Sequence, residues 1–181
     1  ERNAGIGSGF SNEDYISSGA KIIDEPEKLF LKSEMIVKVK EPQKQERKLL
    51  REGQLLFTYL HLAPDLDQTK DLIKSKCTAI AYETVTDSFG RLPLLAPMSE
   101  VAGRLAPQVG AWALQKANGG SGILLSGVSG VGPAKVVIMG GGVVGLNAAR
   151  IASGMGADVT ILERSISRIR VLDENFKGKF K

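Results

Sequence analysis

Of 181 residues, one is cysteine, one histidine and one tryptophan. A lone cysteine cannot form an internal disulfide framework, and that pattern fits a reducing compartment. Cys77 stands just before an apolar run, the setting of an inert buried thiol rather than of a nucleophile. No apolar run approaches the ~20 residues needed to span a bilayer, and nothing reads as a secretory leader. Lysine and arginine exceed the acids only 24 to 20, with both signs interspersed. No basic cluster alternates with aromatics, so nucleic acid is not an expected partner. No metal site is expected. A soluble, cytoplasmic protein with neither a membrane nor a nucleic-acid partner is the expectation.

Hydrophobic residues make up 43% of the chain, enough for a packed core, and the length suits one large or two small domains. The most informative stretch runs from Lys135 to Arg150. An apolar, β-branched run leads into Gly140-x-Gly142-x-x-Gly145, followed by small apolar residues that favour a helix. A second apolar run, Ala157 to Leu162, ends at Glu163, eighteen residues past Gly145. Strand, glycine turn, helix, strand and acid follow in the order of a dinucleotide-binding βαβ unit. Gly140 permits the tight turn, Gly142 lets a pyrophosphate approach the backbone, and Gly145 lets the helix pack closely. The pyrophosphate would sit on free N–H groups at the positive end of the helix dipole, including those of Val143 and Val144. Glu163 can accept from both ribose hydroxyls and repels a 2′-phosphate, which favours NAD over NADP, although the adjacent Arg164 could greet that phosphate. A bare structural βαβ turn is the duller alternative.

Upstream, Ser11 with Asp14 three residues on reads as a capping box opening a helix to about Ala20. Ala20 to Ile23 reads as a short strand and Pro26 to Phe30 as a short helix. Met35–Val39, Gln54–Tyr59 and Thr78–Tyr82 read as strands, with helices at Gln43–Leu50 and Leu66–Ser75 between them. A long helix is expected over Ser99–Lys116 and a short hairpin strand over Gly122–Leu125. The fold class is therefore α/β, with two open parallel-sheet domains, the second a Rossmann dinucleotide-binding domain that is incomplete here. Residues 1–95 form the first domain, 96–117 a linking helix and 118–181 the start of the second. A parallel sheet of two or three strands is normally covered on both faces, so a piece of a longer chain is expected. Ligands of such sheets bind beyond the carboxyl ends of the strands. Lys40, His61 and Glu83 each follow one of those ends, while Lys38 reads as a solvated strand-end lysine.

Four blocks carry a resemblance: Lys38-Val39-Lys40-Glu41-Pro42, Phe57 to Ala63 around His61, Ala81 to Val85 around Glu83, and Pro93 to Arg104. Together with the Gly140–Gly145 turn and Asn147 to Ala157, they closely resemble the bacterial alanine dehydrogenases across nearly all 181 residues. The resemblance implies an NAD-dependent enzyme that interconverts L-alanine with pyruvate and ammonium, and a homo-oligomer, a hexamer in that family. It implies Lys40 as the group that binds the substrate carbonyl or carboxylate and His61 as the proton shuttle. A histidine's ordinary pKa of ~6.5 suits that exchange near neutrality. It sets Tyr59, Glu83 and Met98 in the substrate cleft, and Ser99 and Arg168 beside the cofactor. All but Met98 have a plainer explanation: a solvated lysine, a hydrogen-bonded histidine, a core tyrosine, a turn-capping glutamate, an N-cap serine, an exposed helix arginine. The family's substrate-carboxylate arginine lies upstream of these residues, and its catalytic aspartate and nicotinamide-side asparagine lie downstream. This stretch alone is therefore not expected to be catalytic. A transhydrogenase-type nucleotide-binding subunit and a non-catalytic NAD-binding fragment are the competing readings.

Overall fold

The computed structural model describes residues 1–176 and 178–180. Lys177 and Lys181, within the range assigned above to the second domain, lie outside the described residues. The chain divides into two compact units, Glu1–Leu92 and Pro93–Lys181.

The first unit opens with α1 (Asn12–Ser17), and its N-terminus is closed by the expected capping box. The Ser11 hydroxyl accepts from the Asp14 N–H at 3.1 Å, and the Asp14 carboxylate accepts from the Ser11 N–H at 2.7 Å. The helix ends before Ala20, and Ala20 to Ile23 form no strand, contrary to expectation. The Ile23 carbonyl is instead taken by the Arg2 N–H. Then follow α2 (Pro26–Lys32), β1 (Met35–Val37), α3 (Lys44–Arg47), β2 (Leu55–Thr58), α4 (Leu66–Ser75) and β3 (Thr78–Ala81). The expected helix over Gln43–Leu50 is only one turn, because Leu49 and Leu50 leave it to pack on the core.

The three strands pair in parallel in the order β1-β2-β3, as the alternation of strand and helix implied. Along β2 the pleat sends Leu56 and Thr58 inward and leaves Leu55 exposed. Leu56 is completely buried with Phe30, Ile36, Leu50, Leu60 and Leu72, and Cys77 packs against this core half-buried. The other side of the sheet keeps Met35, Val37, Leu55 and Ile80 exposed.

The second unit begins with α5 (Ala96–Ala113), three residues earlier than the expected Ser99 start and three short of the expected end. Pro97 accounts for the early start, since its fixed φ and missing N–H suit a first turn. Gly122 to Leu125 form no strand; that segment is irregular up to β4 (Lys135–Met139), with one isolated bridge between Val128 and Val131. The chain continues through α6 (Val143–Gly154), β5 (Asp158–Leu162) and α7 (Ile166–Phe176), with β4 and β5 parallel. Ala149, Ala152 and Val159 form the buried centre of this unit. Helices α5 and α6 meet at Gly103, where a Cβ would lie 2.3 Å from the Val144 carbonyl oxygen. Beside that contact the Arg104 Nε donates to Asn147 Oδ1 at 3.0 Å, and Asn147 Nδ2 donates to the Val143 carbonyl.

Among the described residues, no helix is long and apolar enough to cross a membrane, and no group of three or more histidine, cysteine or acidic side chains is placed to hold a metal ion.

At the turn between β4 and α6, a Cβ on Gly145 would lie 1.8 Å from the Gly140 carbonyl oxygen, and both partners are fixed backbone. Gly145→Ala is expected to lower the free energy of unfolding by about 3 kcal/mol, the upper part of the usual range for overpacking. Gly154, on the same helix, has open space around its missing Cβ. Gly154→Ala should be neutral or stabilising by up to ~1 kcal/mol. Urea unfolding of the full-length protein with each substitution measures the contrast.

Candidate functional site

Two clusters of the expected residues can be built up from the backbone, one in each unit.

In the first unit, Lys40, His61 and Glu83 all lie past the carboxyl ends of β1, β2 and β3. The loops that carry them are tied together. The fully buried Thr58 hydroxyl donates to the Lys40 carbonyl at 2.7 Å, with the Val39 carbonyl also within reach at 3.1 Å, and the Tyr59 N–H donates to Val39. The backbone of Lys40 is thereby fixed to the end of β2, three residues before His61. The Lys40 side chain is 63% exposed, with Glu41 3.7 Å from its Nζ. Lys38 is not the solvated lysine expected. It is only 23% exposed, and its Nζ lies 2.6 Å from both carboxylate oxygens of Glu46.

His61 is exposed and adopts a left-handed backbone conformation, with φ of 46°. That conformation is uncommon outside glycine, although histidine is among the residues that reach it more often. Its N–H donates to Glu83 Oε1 at 2.8 Å, and the Leu60 N–H donates to both Glu83 oxygens at 3.1 and 3.2 Å. Partial burial opposes ionisation of Glu83. The backbone N–H groups of His61, Glu83 and Leu60 outweigh that effect and hold the carboxyl below its ordinary value. Glu83 is therefore an ionised acceptor for the turn that carries His61. Tyr59 is half-buried and edge-on to Tyr82, which is in turn edge-on to Phe57.

One participant was not anticipated from the sequence. Gln68, fully buried in the first turn of α4, donates through Nε2 to the Leu60 carbonyl. A polar side chain four residues before the buried Leu72, on the same helical stripe, was the available signal.

In the second unit, Gly140 has φ of 98°, which only glycine takes without strain, and a Cβ on Gly142 would meet nothing within 4 Å. Gly142 occupies the N-cap position of α6 with no capping side chain. The first N–H groups of that helix, which include those of Val143 and Val144, have no intrahelical acceptor, and both side chains are exposed. Open space, a bare N-terminus and the positive end of a twelve-residue helix suit a pyrophosphate.

Glu163 does more than the ribose contact expected of it. Its carboxylate accepts from the Gly141 N–H at 2.8 Å, from Arg164 N–H at 2.8 Å and from Ser165 N–H at 2.9 Å. The N–H groups of Ser165 and Gly141 chiefly hold its pKa below the ordinary glutamate value, against the opposing effect of burial. Arg168 is not the free surface arginine of the plainer reading, since its Nε donates to the Gly141 carbonyl at 2.7 Å. Both ends of Gly141 are thus held by side chains from beyond β5. Ser99 lies inside the first turn of α5 and not at its cap, which is Leu95; its N–H donates to the Leu95 carbonyl. Met98 precedes it and is 41% exposed.

The family model described as alanine dehydrogenase/PNT, N-terminal domain, matches residues 1–102, and the C-terminal domain model of the same family matches 106–181. The two models meet inside α5. The chain is 56% identical to an alanine dehydrogenase of Halomonas elongata over 98% of its own length and 48% of the relative's. It is 54% identical to the alanine dehydrogenase of Bacillus subtilis over 100% of its length and 47% of the relative's. It spans about half the length of these curated relatives. A solved L-alanine dehydrogenase superposes with a TM-score of 0.85 at 48% identity, over 99% of this chain and 50% of that one. A transhydrogenase from Sinorhizobium meliloti shares the fold, with a TM-score of 0.73 at 23% identity over 99% of this chain and 51% of that one. An α/β chain with these parallel sheets and this glycine turn, matched by both models, belongs to the alanine dehydrogenase/PNT family.

Proposed function

We propose that the chain is the part of an NAD-dependent L-alanine dehydrogenase that carries its proton-transfer histidine and its pyrophosphate turn. The reaction is L-alanine + NAD⁺ + water ⇌ pyruvate + ammonium + NADH + H⁺. The observation that carries this reading is the constrained His61 turn, fixed by Glu83 beside the Lys40 loop, in a chain about half identical to alanine dehydrogenases. On this reading residues 1–95 belong to the substrate domain and 118–181 to the cofactor domain, with 96–117 linking them.

The cofactor's fit rests on the open backbone at Gly142 and the uncapped start of α6. Gly140, Gly142, Val143, Val144 and Gly145 would hold the pyrophosphate, and Glu163 the ribose, with Ser99 and Arg168 adjoining. When bound, the nicotinamide accepts the α-hydride of the amino acid. The protein's own groups do the rest. Lys40 places positive charge against the substrate's oxygen, where negative charge develops. His61 moves a proton at the substrate oxygen as water adds to the imine and ammonia leaves. Glu83 keeps the His61 backbone in place.

The full-length protein is proposed to be a homo-oligomer, hexameric as the family resemblance implies. Support comes from the apolar residues that α5 leaves exposed: Val101, Leu105, Val109 and Trp112. Equilibrium sedimentation as a monomer at micromolar concentration contradicts the assembly.

Alanine-dependent NADH formation by the full-length protein tests the activity directly. His61→Ala should lower the turnover number by roughly two to four powers of ten, the usual worth of a general acid–base. NADH binding, followed by fluorescence titration, should hardly change. Near-normal turnover in that variant returns His61 to a structural role.

The unaltered full-length protein should bind NAD more tightly than NADP. Because Glu163 also shapes the glycine turn, Glu163→Ala is expected to weaken both cofactors, and the informative quantity is their ratio. A lost ribose contact narrows the NAD-to-NADP preference, whereas a distorted turn scales both affinities alike. Titration of the two cofactors into both proteins measures this ratio, and equal affinities in the unaltered protein contradict the assignment.

A further inference from the structure

The peptide that joins Leu60 to His61 is gripped at both polar ends. Glu83 accepts from the N–H groups of Leu60 and His61, and Gln68 donates to the Leu60 carbonyl. Leu60 itself is 2% exposed and packed into the core. Gln68 is fixed in its turn. Its N–H donates to the Asp65 carboxylate at 2.8 Å at the start of α4. Asp65 lies 3.9 Å from the Arg47 guanidinium, which also pairs with Asp71.

Gln68 is an odd choice for core packing alone. Its side chain is completely buried, and among the described residues its Oε1 has no hydrogen-bond partner. A buried amide oxygen left unpaired is unfavourable, and a leucine of similar volume would fill the same space without that defect. What leucine cannot supply is the one bond the amide makes, to the carbonyl immediately before His61. That carbonyl belongs to the peptide whose rotation sets the φ of His61, a left-handed conformation that an L-residue keeps only when its surroundings fix it.

We propose that Gln68 is a positioning residue for His61, clamping the Leu60 carbonyl from within the core while Glu83 holds the two N–H groups from the sheet edge. Gln68 touches no substrate. It fixes the direction in which the His61 ring leaves the backbone, and a proton-transfer group works only when so directed. The proposal rests on the reading of His61 given above.

The test uses the full-length protein with Gln68→Leu, Gln68→Glu and each combined with His61→Ala. Gln68→Leu should lower the turnover number about 10- to 100-fold, the usual cost of misdirecting a catalytic group. NADH affinity should be unchanged and the melting temperature equal or higher. In the His61→Ala background, Gln68→Leu should cause no further loss, which a general packing defect would not reproduce. Gln68→Glu should recover turnover as pH falls, because a protonated carboxyl can donate to the Leu60 carbonyl and an ionised one cannot. Unchanged turnover in Gln68→Leu, or the same fold loss with and without His61, overturns the proposal. Should Gln68→Leu fail to fold, the pH profile of Gln68→Glu decides alone, and a profile parallel to that of the unaltered protein overturns it. If His61→Ala proves fully active, the proton-transfer reading has failed, and a crystal structure of Gln68→Leu then decides the clamp. His61 leaves the left-handed region if the clamp is real, and an unmoved φ refutes it.

Discussion

Parallel strands cannot be joined by a tight turn. Each pair needs a crossover that returns the chain to the starting edge, so successive strand ends collect on the opposite edge. In this chain that constraint brings Val39–Lys40, Leu60–His61 and Glu83 into one hydrogen-bonded group, although Lys40 and Glu83 lie 43 positions apart. It also sets the Gly140 turn beside Glu163 in the second unit. The burial of Leu56, Ile36 and Leu72 supplies the energy that holds the first ladder together. At about 1.5–3 kcal/mol for each fully buried aliphatic side chain, it far exceeds the ~1 kcal/mol of any one hydrogen bond at the edge. Packing therefore fixes the sheet, and the edge bonds only aim what the sheet delivers.

Much of this was legible because periodicity and turn chemistry are local. The capping box of Ser11 and Asp14, the bounds of α4 and the strand–glycine–helix–strand order all follow from nearest-neighbour rules. Failures came where a tertiary choice overrode a local one. Ala20 to Ile23 and Gly122 to Leu125 have strand-like composition but no partner strand to bond, so neither is one. Pro97 marked the true start of α5, yet Ser99 offered the stronger capping signal by residue type. Lys38 reads as solvated from its neighbours alone because Glu46, which pairs with it, is eight residues away, beyond Pro42. Gln68 is the most telling omission. On an amphipathic helix a glutamine is assigned to the wet side by default, and only the fold shows that it faces Leu60.

The two units share one device at this edge. In each, a glutamate just past a strand reaches across to backbone N–H groups beyond the end of the neighbouring parallel strand. Glu83 follows β3 and takes the N–H groups of Leu60 and His61 beyond β2. Glu163 follows β5 and takes the N–H of Gly141 beyond β4. The reason is general. Past the last ladder bond a strand still presents N–H donors, and an ionised carboxylate is the strongest acceptor a side chain can offer them. Both carboxyls are held below their ordinary pKa by these bonds, so both stay charged acceptors at neutral pH. The difference lies in what each spends its second oxygen on. Glu83 turns both oxygens toward the Leu60–His61 segment, while Glu163 also takes the N–H groups of Arg164 and Ser165, the two residues before α7. Glu83 is thereby dedicated to one turn and holds the histidine on it by the backbone N–H. Glu163 ties the glycine turn to the residues that precede α7, and Arg168 of α7 holds the same Gly141 by its carbonyl, so two side chains from beyond β5 fix one glycine from both ends.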